Sequence, residues 1–171
     1  MGFDINDRKQ HPVNNVIWVE AELVQANDYN PNSVAAPEME LLELSIRSDG
    51  FTQPIVVWKT DDGIYEVVDG FHRHKVGEKI GMKFLPIVII NSDRIERGDR
   101  IASTIRHNRA RGKHRIDSMS EIVQELSRRN WSEKKIGMEL GMDPDEVLRL
   151  KQITGLAELF SDRDFSEAWE A

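Results

Sequence analysis

The stretch PIVVWKTDDGIYEVVDGFHRHKVGEKIGMKFLPIVII, residues 54–90 of a 171-residue chain, decides the fold. PIVVW (54–58) and IYEVV (64–68) are short β-branched runs, and Asp61-Asp62-Gly63 between them has the turn chemistry of a hairpin. The period then changes. HRHKVGEKIGM sets Val76 and Ile80 four residues apart with Gly81 behind them, the spacing of a short helix and its stop. FLPIVII (84–90) reads as a buried strand. Strands alternating with helices predict a small α/β or α+β domain, taken as α+β with a mixed sheet, ending near residue 115.

The flanks extend this pattern. Residues 1–15 are polar and expected to be a flexible N-terminus, so the folded domain is set at 16–115. VIWVEAEL (16–23) has strand-like enrichment, and the polar loop QANDYNPNS follows, where Asn30 before Pro31 disfavours helix. Pro37 suits a first helical turn, with Glu38 and Glu40 at the positive helix end. Leu41, Leu42, Leu44 and Ile46 are expected on its apolar side, and Gly50 stops it. Residues 92–111 read as a helix with Ile101 and Ile105 inward. Beyond it, residues 116–171 change character. Segments 118–129, 131–140 and 144–154 are amphipathic, and Gly141 breaks the last two in a helix-turn-helix pattern. An acidic tail sets Phe165 and Trp169 four apart, as a self-association surface or as further core.

Composition narrows the function. At 39% hydrophobic and 31% charged, the chain can bury one or two small cores and is too apolar for wholesale disorder. No apolar run reaches the ~18 residues of a membrane span. The start lacks a signal-peptide pattern, so a cytoplasmic protein with no membrane partner is expected. Cysteine is absent, which excludes disulfides, thiolate metal sites and thiol nucleophiles. The net charge of −7 suits a nucleic-acid coat poorly. Yet residues 94–115 hold eight Arg and Lys against two acids, a local anion site or a solvated helix face.

Asp69-Gly70-Phe71-His72-Arg73-His74 follows a strand and opens a helix. Glycine there permits close approach of a ligand, and the first helical N–H groups point outward to receive phosphate oxygens. His72, Arg73 and His74 add donors, and Asp69 could hold a metal or a ribose hydroxyl, or orient a histidine. An ordinary strand-to-helix turn with polar decoration is the competing reading. Arg106-His107-Asn108-Arg109-Ala110-Arg111 closes the basic helix, where 107, 108 and 111 share one stripe. The loop Asn27-Asp28-Tyr29-Asn30-Pro31-Asn32 holds one carboxylate, Asp28, either a base or Mg²⁺ ligand or a cap for its own turn.

The order ANDYNPN, SIRSDGFTQPIVVW, YEVVDGFHRHKVGEKIG, FLPIVII, IRHNRARGKH resembles the ParB/sulfiredoxin superfamily over residues 16–155. It is most similar to prophage-associated ParB-like proteins with a DGFHR turn, often labelled ParB-like nuclease domains. The resemblance implies a nucleotide bound across the strand-to-helix turn and the later Asn/Arg helix. CTP-binding partition proteins carry GERR and ENxxR; here Gly70-Phe71-His72-Arg73 and His107-Asn108-Arg109-Ala110-Arg111 keep the glycine, one arginine, the asparagine and the last arginine, and lose both acids. The sulfiredoxin cysteine aligns with Phe71, which excludes that chemistry. Free-serine kinases carry DGHHR and a catalytic carboxylate in the N-terminal loop, where this chain offers Asp28. The same resemblance puts Gln53 near the base or ribose.

The leading expectation is therefore a nucleotide-binding, Mg²⁺-dependent phosphotransferase or NTPase using ATP, ADP or CTP in a regulatory role, with a protein or small molecule as phosphoacceptor. Asp28 and His72 are its catalytic candidates. Gln53, Asp69, Gly70, Phe71, His72, Arg73, His74, His107, Asn108 and Arg111 are the binding candidates, with Asp28 and Asp69 as metal ligands. The alternative is a nucleotide-gated, DNA-associated regulator that switches a homodimer with little catalysis. A nuclease ranks third, because no paired carboxylates accompany the basic cluster. Base reading by the last helix is not favoured: it opens on Asp143-Pro144-Asp145-Glu146, three acids that phosphates repel.

Overall fold

Thr60 and Ile64 close the hairpin expected around Gly63. The Thr60 N–H donates to the Ile64 carbonyl at 2.8 Å, and Gly63 takes the left-handed φ of +86° that the turn needs. The computed structural model describes residues 4–29, 36–90, 96–109 and 116–161. In order these form β1 (Ile17–Glu20), β2 (Val24–Gln25), α1 (Ala36–Asp49), β3 (Ile55–Lys59), β4 (Tyr65–Asp69), α2 (Phe71–Lys79), β5 (Phe84–Ile89), α3 (Arg97–Arg109), α4 (Ile116–Arg128), α5 (Glu133–Leu140) and α6 (Pro144–Ser161). The chain divides into two compact units, Met1–Arg111 and Gly112–Ala171. None of the described helices is long and apolar enough to cross a membrane.

The first unit is an α+β domain on a mixed five-stranded sheet of order β1-β5-β3-β4-β2. β3 lies parallel to β5 and antiparallel to β4, so the central strand is paired on both sides. Ile55, Val57, Val67, Leu85 and Ile87 form its core with Val24. The segment 16–23 is not one strand. β1 and β2 lie on opposite rims of the sheet, so a 3₁₀ turn at Ala21–Leu23 interrupts the run to let the chain change sides. Residues 8–10 and 12–14 also form 3₁₀ turns, within the stretch expected to be flexible.

A register shift between Val56 and Val57 sets Val56 opposite Asp69 and Val57 opposite Val67, so Val68 is the extra residue of a bulge. That bulge aims the end of β4 into α2. Gly77 seats α2 on the sheet: a Cβ there would meet Leu85 Cδ2 at 2.5 Å. α1 corrects the expected apolar side. Met39, Leu42, Glu43 and Ile46 form the covered stripe at helical spacing, whereas Leu41 and Leu44 remain 66% and 61% exposed. Ile101 and Ile105 of α3 are fully buried.

The second unit packs α4, α5 and α6 around Ile122, Val123, Leu126, Ile136, Leu140, Val147 and Leu150. Asn130, at a left-handed φ of 62°, ends α4, and Gly141 at 68° ends α5. Phe165 and Trp169 lie outside the described residues. The turn between α5 and α6 is tight because Gly137 lets the chain fold back. Met142 N–H donates to the Gly137 carbonyl at 2.8 Å, and a Cβ at Gly137 would lie 2.7 Å from the Met142 carbonyl oxygen. Backbone cannot yield there as a side chain can. Gly137→Ala is expected to cost about 1–3 kcal/mol, as other overpacked sites do. Urea unfolding of the full chain measures it, and an unchanged midpoint would refute this packing.

Candidate functional site

Gly70 carries the turn between β4 and α2 at φ +94°, a conformation open to glycine and strained for other residues. No side chain caps α2 at this position, and no acid lies in its first turn. The helix's own bonding begins with His74 N–H donating to the Gly70 carbonyl at 2.9 Å. The N–H groups of Phe71 and His72 lie ahead of that pattern, at the positive end of the helix dipole.

Arg73 does structural work at this turn. Its Nη1 donates to the carbonyls of Gln53 and Pro54, each at 2.8 Å, and its Nη2 lies 3.5 Å from Asp69 Oδ2. The guanidinium folds back over Gly70, where an added Cβ would sit 3.0 Å from Nη2. Asp69 is buried and ion-paired here. Gln53 exposes its side chain and contributes its carbonyl. Phe71 packs against the core and lies edge-to-face with His72, ring centroids 5.4 Å apart, so its offering to a ligand is its N–H. His72 is half-buried. Burial pushes its pKa below the ordinary 6.5 while Asp69 pulls it up, so the ring brings hydrogen bonding rather than full charge at neutral pH.

Asn108 is buried on α3. α3 packs along β4: Arg100 Nε lies 3.4 Å from Glu66 Oε1, and Asn27 Nδ2 spans the Val67 carbonyl at 2.5 Å and Thr104 Oγ1 at 3.5 Å. Thr104 and Asn108 are both buried and one turn apart. These contacts order α3 and β4 in the same sense, with Arg100 beside Glu66 and Thr104 joined through Asn27 to Val67. His107 is exposed on the neighbouring face, and Arg111 lies outside the described residues.

Two expected placements are corrected. His74 does not face a phosphate: it is buried on the underside of α2, and its Nε2 donates to the Val24 carbonyl of β2 at 2.9 Å. Asp28 is not a free carboxylate: Arg97 Nη2 donates to both of its carboxylate oxygens, at 2.9 and 3.0 Å. Asp28 and Asp69 thus each face an arginine, whose charge opposes a second cation at the same oxygens. The sequence reading missed Tyr29, Glu66, Arg97 and Arg100 as a connected set. The signal available was a lone glutamate inside the apolar run IYEVV.

An α+β domain with this sheet order and glycine turn, followed by a three-helix unit, defines a ParB-type architecture. The ParB N-terminal domain family matches residues 6–99, and the IbrB-like C-terminal HTH domain matches residues 114–162. The chain belongs to the ParB N-terminal domain family and carries a helix-turn-helix domain behind it. It is 56% identical over 167 residues to the uncharacterized protein YbdM of Escherichia coli, covering 94% of this chain and 78% of that one. It is 30% identical over 95 residues to the nucleoid occlusion protein of Bacillus thuringiensis, covering 52% of this chain and only 33% of that protein. Two solved structures share the fold. The Caulobacter crescentus chromosome-partitioning protein ParB, complexed to the centromeric parS site, has a TM-score of 0.54 at 19% identity, covering 85% of this chain and 77% of that one. A Pnob8-like ParB-N domain has a TM-score of 0.57 at 15% identity, covering 86% and 74%.

His74 generates a pH dependence. With its proton on Nε2, its buried Nδ1 has no hydrogen-bond partner, so protonation would bury an unpaired N–H. Burial accordingly lowers its pKa below 6.5, against weaker opposing effects of Glu78 and the Val24 carbonyl. The unfolded chain then binds the proton more readily, so this histidine removes stability as pH falls through 6.5 toward its lower folded value. His74→Gln, which keeps a donor for Val24, is expected to flatten the decline in urea midpoint between about pH 7.5 and about pH 5. An equally steep decline in the variant would contradict the assignment.

Proposed function

We propose that this protein is a nucleotide-responsive, DNA-associated regulator, in which the first unit binds ATP, ADP or CTP and the helix-turn-helix unit carries the response. The observation that supports it is the uncapped, left-handed Gly70 turn with its leading N–H groups, and the buried Asn108 of α3 is assigned to the same site. The phosphates are assigned to the N–H groups of Phe71 and His72, with the His72 ring and Asn108 as side-chain donors. Arg111 is carried into this set from the sequence alone. Arg73 and Asp69 shape the turn, and magnesium is assigned no protein ligand.

Several observations favour a binding protein over a phosphotransferase. The carboxylate expected to act as base, Asp28, is engaged by Arg97 at the far end of α3. A relative that is 30% identical over 95 residues is a nucleoid occlusion protein, and the helix-turn-helix match adds a DNA-type domain. DNA contact is proposed to be of the phosphate-backbone kind. Asp143 and Asp145 are exposed at the start of α6, Asp143 capping Glu146 N–H at 3.1 Å, where base-reading residues would otherwise sit. Lys134, Lys135 and Arg149 are exposed on the same unit.

Calorimetric titration with ATP, ADP and CTP in magnesium buffer tests the site. Binding of at least one nucleotide is expected, and His72→Ala should weaken it roughly tenfold, the worth of one hydrogen bond to a charged group. Duplex binding should respond to that nucleotide and weaken steeply with salt. Titrations without heat for all three nucleotides would reject the site, and steady phosphate release with no effect on DNA or mass would return the protein to the enzymes.

A further inference from the structure

Loop residues 27–29 join the sheet to α3 through a chain of polar contacts. Besides the Asn27 bridge, Arg97 holds Asp28 and stacks on Tyr29, its guanidinium carbon 5.2 Å from the ring centroid. Tyr29 is buried, and its hydroxyl donates to Glu66 Oε1, the same oxygen that lies 3.4 Å from Arg100 Nε. Glu66 is thus shared by the loop and the helix. Burial, with the Glu66 contact, pushes the Tyr29 hydroxyl well above its ordinary pKa, so it stays a donor at any physiological pH.

Apolar packing is non-directional, so Ile101 and Ile105 hold α3 against the sheet without fixing how far it slides along β4. Directional contacts supply that register. The Asp28–Arg97 pair is largely exposed and contributes little alone. Tyr29, Glu66 and Arg100 are better shielded, the two charged side chains being 18% and 19% exposed. A glutamate in a largely buried strand is costly unless it is paired.

We propose that Glu66, held by Tyr29 and Arg100, is a positioning residue that sets the register of α3 along β4 and thereby presents Asn108 to the nucleotide at the Gly70 turn. The inference rests on the phosphate-site reading above. It assigns a role to groups that never touch the ligand: the loop reports to the helix, and the helix completes the site.

The test uses the full chain with Tyr29→Phe, which keeps the ring and removes the hydroxyl, and Glu66→Ala, with Glu66→Gln as a partial rescue. Amide exchange along Thr104–Asn108 should accelerate about tenfold while β3 and β5 exchange as before. Affinity for the nucleotide bound by the parent chain, read by calorimetry, should fall about tenfold, within the range seen for networks that couple without contact. Glu66→Gln, which retains an acceptor for Tyr29, should lose less of both. Unchanged exchange in α3 overturns the proposal. So does acceleration spread evenly over the sheet, which marks a general loss of stability, and so does faster α3 exchange with unaltered affinity. A parent chain that binds none of the nucleotides rejects the phosphate site and this inference together; a parent that binds alongside variants that bind equally well rejects only the positioning role.

Discussion

A guanidinium that is mostly withdrawn from water must find acceptors, and Arg73 finds them on two segments, one about twenty residues upstream and one a single helical turn away. The carbonyls of Gln53 and Pro54 precede β3, Asp69 ends β4, and Arg73 itself lies in the first turn of α2. One planar side chain therefore pins the mouth of the sheet. The same side chain explains the glycine: the space beside the Gly70 Cα is already taken by the guanidinium. Charge and conformation are settled together, because the acid nearest the helix's positive end is neutralised by a neighbour and does not repel an incoming anion.

The basic run gains a different meaning in this setting. Its early members face the protein's own acids, Arg97 with Asp28 and Arg100 with Glu66. Their task is internal. Arg106, further along the run, is exposed on the helix whose Thr104 and Asn108 are buried. A charge count over residues 94–115 cannot separate these tasks, since it records sign and not partner.

Local chemistry carried most of the fold. The hairpin at Gly63, the left-handed turn at Gly70, the stops at Gly50 and Gly81 and the break at Gly141 are backbone requirements visible in single residues. Long-range demands were not visible. The run 16–23 had to split because its two halves occupy opposite rims of the sheet, which no window of eight residues reveals. Leu41 and Leu44 looked like core by composition, yet only one helical stripe meets the rest of the domain. In the site, the glycine turn at Gly70 was legible from spacing, while the inward aim of His74 and the ion pair of Asp28 were not. A histidine next to a phosphate-type turn points inward or outward by one step of helical rotation, and a loop aspartate finds whichever cation the fold brings near it.

The rims of the sheet have a consequence for the life of the protein in a crowded solution. One rim is β2, only two residues long, and the other is β1, four residues long, with Ile17 and Trp18 partly open to solvent. A short rim presents few unsatisfied amide groups to a passing extended chain. The first unit is thus poorly suited to template the growth of fibrils, and the sticky side chains of β1 lack the length of backbone that would make such stacking persist.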